Sequence, residues 1–108
     1  MSKKIFDLFG ISAPNLKKSK ILVESALDIN MELHDSSYKG GEYYRAILGS
    51  NEELELQANF DEFENEWFEP EFQEFSFILY LNNVDESVST NRKLNDVKEI
   101  YFLRRQEA

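Results

Sequence analysis

Phe75-Ser-Phe-Ile-Leu-Tyr-Leu81 is a nearly continuous apolar run. A strand with one wet face alternates apolar and polar residues, whereas a run apolar on successive positions needs cover on both faces. This segment therefore predicts a central strand, and it obliges the rest of the chain to supply material for both sides of a sheet. With 108 residues there is room for one core, so residues 1–108 are read as a single domain. At 42% apolar residues the composition is that of a globular domain, and no stretch reaches the length of a membrane-spanning helix. No secretory signal pattern opens the chain, which places the expected protein in the cytoplasm.

The remaining elements follow from periodicity and turn chemistry. Apolar residues Leu16, Ile21, Val23, Ala26, Leu27 and Ile29 fit a helix opened by Asn15 or Ser19. Lys17, Lys18 and Lys20 oppose the dipole of its first turns, which argues for a start later than Leu16. Met31–Ser36 reads as a half-exposed strand, Lys39-Gly40-Gly41-Glu42 as a hairpin turn, and Tyr43–Leu48 as the return strand. After a turn at Gly49-Ser50-Asn51, residues Glu53–Phe60 alternate cleanly. Leu54, Leu56, Ala58 and Phe60 face one way, with Glu53, Glu55, Gln57 and Asn59 on the other. A second helix capped by Asp85 or Ser87 runs to about Val97, followed by a last strand Ile100–Leu103 parallel to the central one. Lys3–Phe9 reads as a short helical turn. The expected fold is α+β, a largely antiparallel sheet of about five strands with two helices packed on one face.

Charge is distributed unevenly. The net charge is −9, yet Ala46–Asn91 holds twelve acids and no Lys or Arg, and ten of those acids fall between Glu52 and Glu74. Such a block repels nucleic acid and anionic membranes and draws in a cationic surface. Between Phe60 and Phe75, five Phe and Trp67 are interleaved with acids around Pro70. The connection is longer than most loops, and it combines aromatic contact area with charged recognition groups, as protein-binding hot spots do. The candidate partner-binding residues are Asp61, Glu62, Glu64, Glu66, Trp67, Phe68, Glu69, Glu71 and Glu74, with Trp67 or Phe68 as the anchor. Phe60, Phe72 and Phe75 are assigned to the core. All the carboxylates are expected to point outward, because an unpaired carboxylate is costly to bury.

Catalytic and cofactor chemistry finds little footing. The chain has no Cys and one His, which excludes thiolate catalysis and Cys-ligated metals and leaves no His-rich metal site. The stretch from Asp61 fails as a calcium loop, with Phe63 in place of an oxygen ligand and no Gly. Gly40-Gly41 leads into a strand and not a helix, so it is no phosphate cradle. His34, beside Asp35, reads as exposed or locally bonded. The expectation is a non-enzymatic protein without metal or cofactor. A small enzyme acting on a cationic substrate would require inward carboxylates in a deep pocket.

Tyr38-Lys-Gly-Gly-Glu-Tyr-Tyr-Arg45, Leu54-Glu-Leu-Gln-Ala-Asn-Phe60, Glu69-Pro-Glu-Phe72 and Ile78-Leu-Tyr-Leu81 together resemble small acidic bacterial immunity proteins. These accompany polymorphic toxins, including those of contact-dependent growth-inhibition systems. The resemblance covers roughly residues 38–81 and is one of turn, strand and acidic linker. It implies a cytoplasmic inhibitor, monomeric when free, that binds one cognate toxin with a basic surface, such as a nuclease. Neither nucleic acid nor membrane is an expected partner. The alternative is a structural adaptor or self-associating subunit that uses the aromatic segment and a sheet edge.

Overall fold

The computed structural model describes residues 5–48, 52–82 and 90–107. In chain order the elements are β1 (Ile5–Ile11), α1 (Leu16–Leu27), β2 (Glu32–Ser36), β3 (Gly41–Leu48), β4 (Glu52–Ala58), β5 (Phe60–Asp61), β6 (Glu66–Trp67), β7 (Phe77–Asn82), α2 (Thr90–Asn95) and β8 (Ile100–Glu107). Six strands form one sheet in the order β2-β3-β4-β7-β1-β8, and β5 with β6 makes a separate small hairpin. Every neighbouring pair is antiparallel. The expected α+β fold is present, with one more strand in the sheet than expected.

That extra strand is β1. Residues 5–9, read as part of a helical turn, are extended and lie in the sheet interior between β7 and β8. A short apolar run has no periodicity of its own to separate strand from helix, and two waiting strand edges decide the matter. The same insertion corrects the reading of the last crossover. β7 and β8 do run in the same direction, but β1 lies between them and pairs with both. The second helix ends at Asn95, short of the expected end near Val97. Its proposed caps Asp85 and Ser87 lie outside the described residues, as does the turn expected at Gly49-Ser50-Asn51.

Helix α1 begins at Leu16 despite its three lysines. Asn15 caps it, its Oδ1 accepting from the Lys18 amide at 2.8 Å, which satisfies one of the donors a helix start leaves open. Asp28 closes it in the left-handed region, at φ 55°. Both helices lie on one face of the sheet, α1 against β4 and α2, and α2 against β8. Beneath them Ile5, Phe9, Ile11, Leu54, Leu56, Leu79, Leu81 and Ile100 meet Val23 and Leu94 in the main core. Each fully buried aliphatic side chain there is worth roughly 1.5–3 kcal/mol of transfer free energy. Two acids are buried on this side: Glu52 accepts from the Thr90 hydroxyl of α2 at 3.2 Å, and Asp7 is held by Arg105 at 2.7 and 2.8 Å and by Asn91 of α2 at 2.7 Å.

A bulge in β8 sets which arginine does this. Leu8 lies opposite Arg104, but Phe9 lies opposite Phe102, so Leu103 is an extra residue. The added residue shifts side-chain parity by one. Arg105 thereby turns to the helical side, and Arg104 turns to the other face, beside Leu8 and Tyr80.

Candidate functional site: the face opposite the helices

The second face of the sheet carries Tyr43, Arg45, Glu53, Glu55, Gln57, Ile78 and Tyr80 from β3, β4 and β7. The acidic, aromatic connection between β4 and β7 folds back across it. Asn59, fully buried, holds this excursion together. Its Nδ2 donates to the carbonyls of Phe72 at 3.0 Å, Phe75 at 3.1 Å and Glu69 at 3.4 Å, while its Oδ1 accepts from the Glu69 amide at 2.9 Å. Its backbone also pairs with Phe68 and Ser76, each at 2.8 Å. One amide side chain thus supplies hydrogen bonds that a loop of this length would otherwise have to find in water.

Asp61 then builds the turn between β5 and β6. Its Oδ1 accepts from the amides of Phe63 at 2.9 Å and Glu64 at 3.3 Å, an Asx turn, and Asn65 takes the left-handed conformation that closes it. Phe60 and Trp67 face each other across the hairpin, ring centroids 5.2 Å apart and edge to face.

Three contacts fix the excursion to the sheet. Glu69 accepts from the Tyr80 hydroxyl at 2.7 Å and pairs with Arg104 at 3.0 Å. Burial, and then the bond to Glu69, push the Tyr80 phenol well above its ordinary pKa, so it stays a donor. Phe75 lies flat on Gly10, where a Cβ would come within 2.4 Å of the ring, and its centroid is 5.4 Å from that of Tyr101. Phe68 lies against Gly40, whose φ of 79° favours glycine and where a Cβ would come within 3.2 Å of the ring, beside the backbone of Asp61. The 37–41 turn and the β5–β6 hairpin therefore meet, and the ring of Phe63 rests beside Gly41.

Between these turns and the sheet is a recess of about 270 Å³. Glu55, Gln57, Tyr80 and Asn82 line it from the sheet, with Tyr38 and Phe68 on the turns. Lys39 also lines the recess and pairs with the Glu55 carboxylate, with its Nζ 5.9 Å from the Tyr80 ring centroid and 6.0 Å from that of Tyr43. Gln57 is 1% exposed, and its Oε1 has no hydrogen-bond partner among the described residues. Nearby, the Arg45 guanidinium forks onto Glu53 at 3.1 and 3.0 Å and holds that carboxyl below the usual carboxylate range.

The expected site residues divide into two groups. Glu62, Glu64, Glu66, Glu71 and Glu74 are exposed, as expected. Asp61 and Glu69 turn inward, contrary to the expectation for all the acids, because backbone amides, Tyr80 and Arg104 replace the water they lose. Trp67 and Phe68, the expected anchors, are half-buried against Phe60 and Gly40. Phe60, Phe72 and Phe75 are also only half-buried, and they cover the second face or its hairpin instead of joining the main core.

The two most exposed aromatics among the described residues are Tyr38, at 89%, and Phe63, at 66%, neither of them an expected anchor. The available signal for Phe63 was its place two residues after Asp61, the spacing of an Asx turn that lifts a side chain outward. His34 lies on the same face and stacks on Tyr43 with centroids 5.5 Å apart. Among the described residues no helix is long and apolar enough to cross a membrane. No family model, curated protein or solved structure matches the chain.

Proposed function

We propose that the chain is an immunity-type inhibitor, cytoplasmic and monomeric when free, that occludes a basic surface of a cognate protein toxin such as a nuclease. It acts as a binding protein without catalysis or cofactor. The observation that carries this reading is Phe63. The ring is exposed, its backbone is tied down by Asp61, and Glu62, Glu64 and Glu66 surround it in the open. A rigid aromatic loses little conformational freedom on binding, and carboxylates around it steer a cationic partner and disfavour other surfaces. Residues 38–81, which carry the resemblance to immunity proteins, are also those that build the two meeting turns.

The test is capture of the partner from the native cell at low salt, followed by affinity measurements on purified variants. Phe63→Ala is expected to weaken binding at least tenfold, chiefly through faster release. The triple variant Glu62→Gln, Glu64→Gln, Glu66→Gln is expected to slow association and flatten its salt dependence. All these side chains are exposed, so thermal stability should stay within about 0.5 kcal/mol. Unchanged affinity in both variants overturns the assignment.

The sheet edges favour one other reading, a self-associating subunit, since among the described residues β2 and β8 are the outer strands of the sheet and expose Leu33 and Phe102. Sedimentation that does not change with concentration excludes it.

A further inference from the structure

We infer that the recess between the 37–41 turn and the sheet is a guanidinium site, whose carboxylate is paired in the free protein with the chain's own Lys39. The inference rests on the reading of a cationic partner and specifies one group that such a partner would insert. The chemistry of the recess is that of a cation site, with the Glu55 carboxylate on its floor and the ring faces of Tyr43 and Tyr80 within cation–π range of the charge now there. A volume of about 270 Å³ admits one long side chain and falls short of the pockets that hold larger ligands.

Lys39, in the wall of the recess, meets only part of its chemistry. Its ammonium pairs with Glu55, yet the Oε1 of Gln57, a buried side chain lining the same recess, has no donor among the described residues. A guanidinium is planar and carries five donors in a fixed fork. It can engage the carboxylate bidentately, direct another N–H toward an amide oxygen and lay its face on an aromatic ring. Arginine therefore satisfies an acceptor that lysine leaves unmet. The lysine is placed to leave: its side chain is one-third exposed, on a flexible stem at the end of a single 3₁₀ turn, immediately before Gly40. The mouth of the recess, at Tyr38 and Phe68, lies beside the turn that presents Phe63.

Titration of the full chain with N-acetyl-arginine methylamide, followed by NMR of the side-chain amides, tests this. In Lys39→Met, which keeps the stem and removes the charge, the probe is expected to bind at least tenfold more tightly than in the unaltered protein. The Gln57 side-chain amide should shift at saturation. N-acetyl-lysine methylamide should bind more weakly than the arginine probe, and adding Gln57→Met should abolish that preference.

If Gln57→Met does not fold, the shift of the Gln57 amide in Lys39→Met decides alone. No saturable binding to Lys39→Met, or saturation without a shift at Gln57, overturns the inference. Comparison with free L-arginine assigns the source, and either order supports the site. Preference for the blocked form indicates a peptide-borne side chain, and preference for the free amino acid indicates a small metabolite. No residue altered here belongs to the exposed rim tested above. Loss of partner binding by Phe63→Ala with no arginine bound by Lys39→Met removes this inference alone, and the converse result removes only the inhibitor reading.

Discussion

On one side of the sheet, Phe9, Val23, Leu56, Leu79 and Leu94 exclude water by filling space. On the other, Asn59, Glu69, Tyr80 and Arg104 hold a loop in place with directed bonds, and aromatic rings close the gaps between them. Aliphatic packing tolerates exchange among residues of similar volume, whereas a hydrogen-bonded cover fails at the loss of a single hub. The side built from directed bonds is also the one that presents acids and exposed rings. A surface that must hold charge near an apolar sheet cannot be sealed by apolar volume alone.

The largest effect that would test this contrast is expected on the helical side. Leu79→Ala, at a fully buried position, should cost about 3–4 kcal/mol, seen as a lower urea midpoint with every amide probe losing protection together. A loss confined to the helices would show that this face is not one cooperative unit. Asn59→Ala is expected to cost somewhat less, about 2–3 kcal/mol, since it strands several backbone groups that local opening can return to water. Its signature should be local: hydrogen exchange rises across residues 60–75 while β1, β7 and α1 stay protected. Uniform deprotection would mean that the two faces are not separable.

The smallest effect concerns Arg45 and Glu53. Hydrogen bonding to Arg45 lowers the Glu53 pKa in the folded protein, so the stabilisation is full above the unfolded carboxylate pKa of about 4.3 and fades as pH falls through the folded value. Arg45→Gln should therefore differ slightly from the unaltered protein at neutral pH and converge with it in acid. Melting curves across that range measure the gap, and a gap that widened in acid would contradict the assigned pairing.

The helical face was largely legible in the sequence. Leu54 and Leu56 alternate with polar residues, and Val23 sits at helical spacing, so period alone assigns them. The other face was not, because its closure depends on pairings distant in sequence. Nothing local marks Asn59 as a hub, since its partners lie at Glu69, Phe72 and Phe75. Glu69 looks like any other acid until Arg104 arrives, and Arg104 arrives only because Leu103 bulges. The exposed acids were found from composition. The ring at the apex of their hairpin was missed, because exposure of a Phe is set by turn geometry and not by its neighbours' polarity.

The position of β1 has a consequence for how the chain comes together in time. The β2–β3–β4 meander is linked by turns, and β7 joins it through the Asn59-centred excursion, so four neighbouring strands of the sheet are consecutive apart from that hairpin. β1 precedes the meander yet takes Leu79 and Phe102 as the cross-strand partners of Phe9, so its place is not complete until β8 is available. Contacts this distant in sequence slow folding, to milliseconds or longer in sheet-rich domains. Phe75 finds the flat floor of Gly10 only in that late step. The loop that presents the acids is therefore locked to the sheet at both ends only once β1 and β8 are in place, so full recognition capacity would come after these long-range pairings and not with the meander.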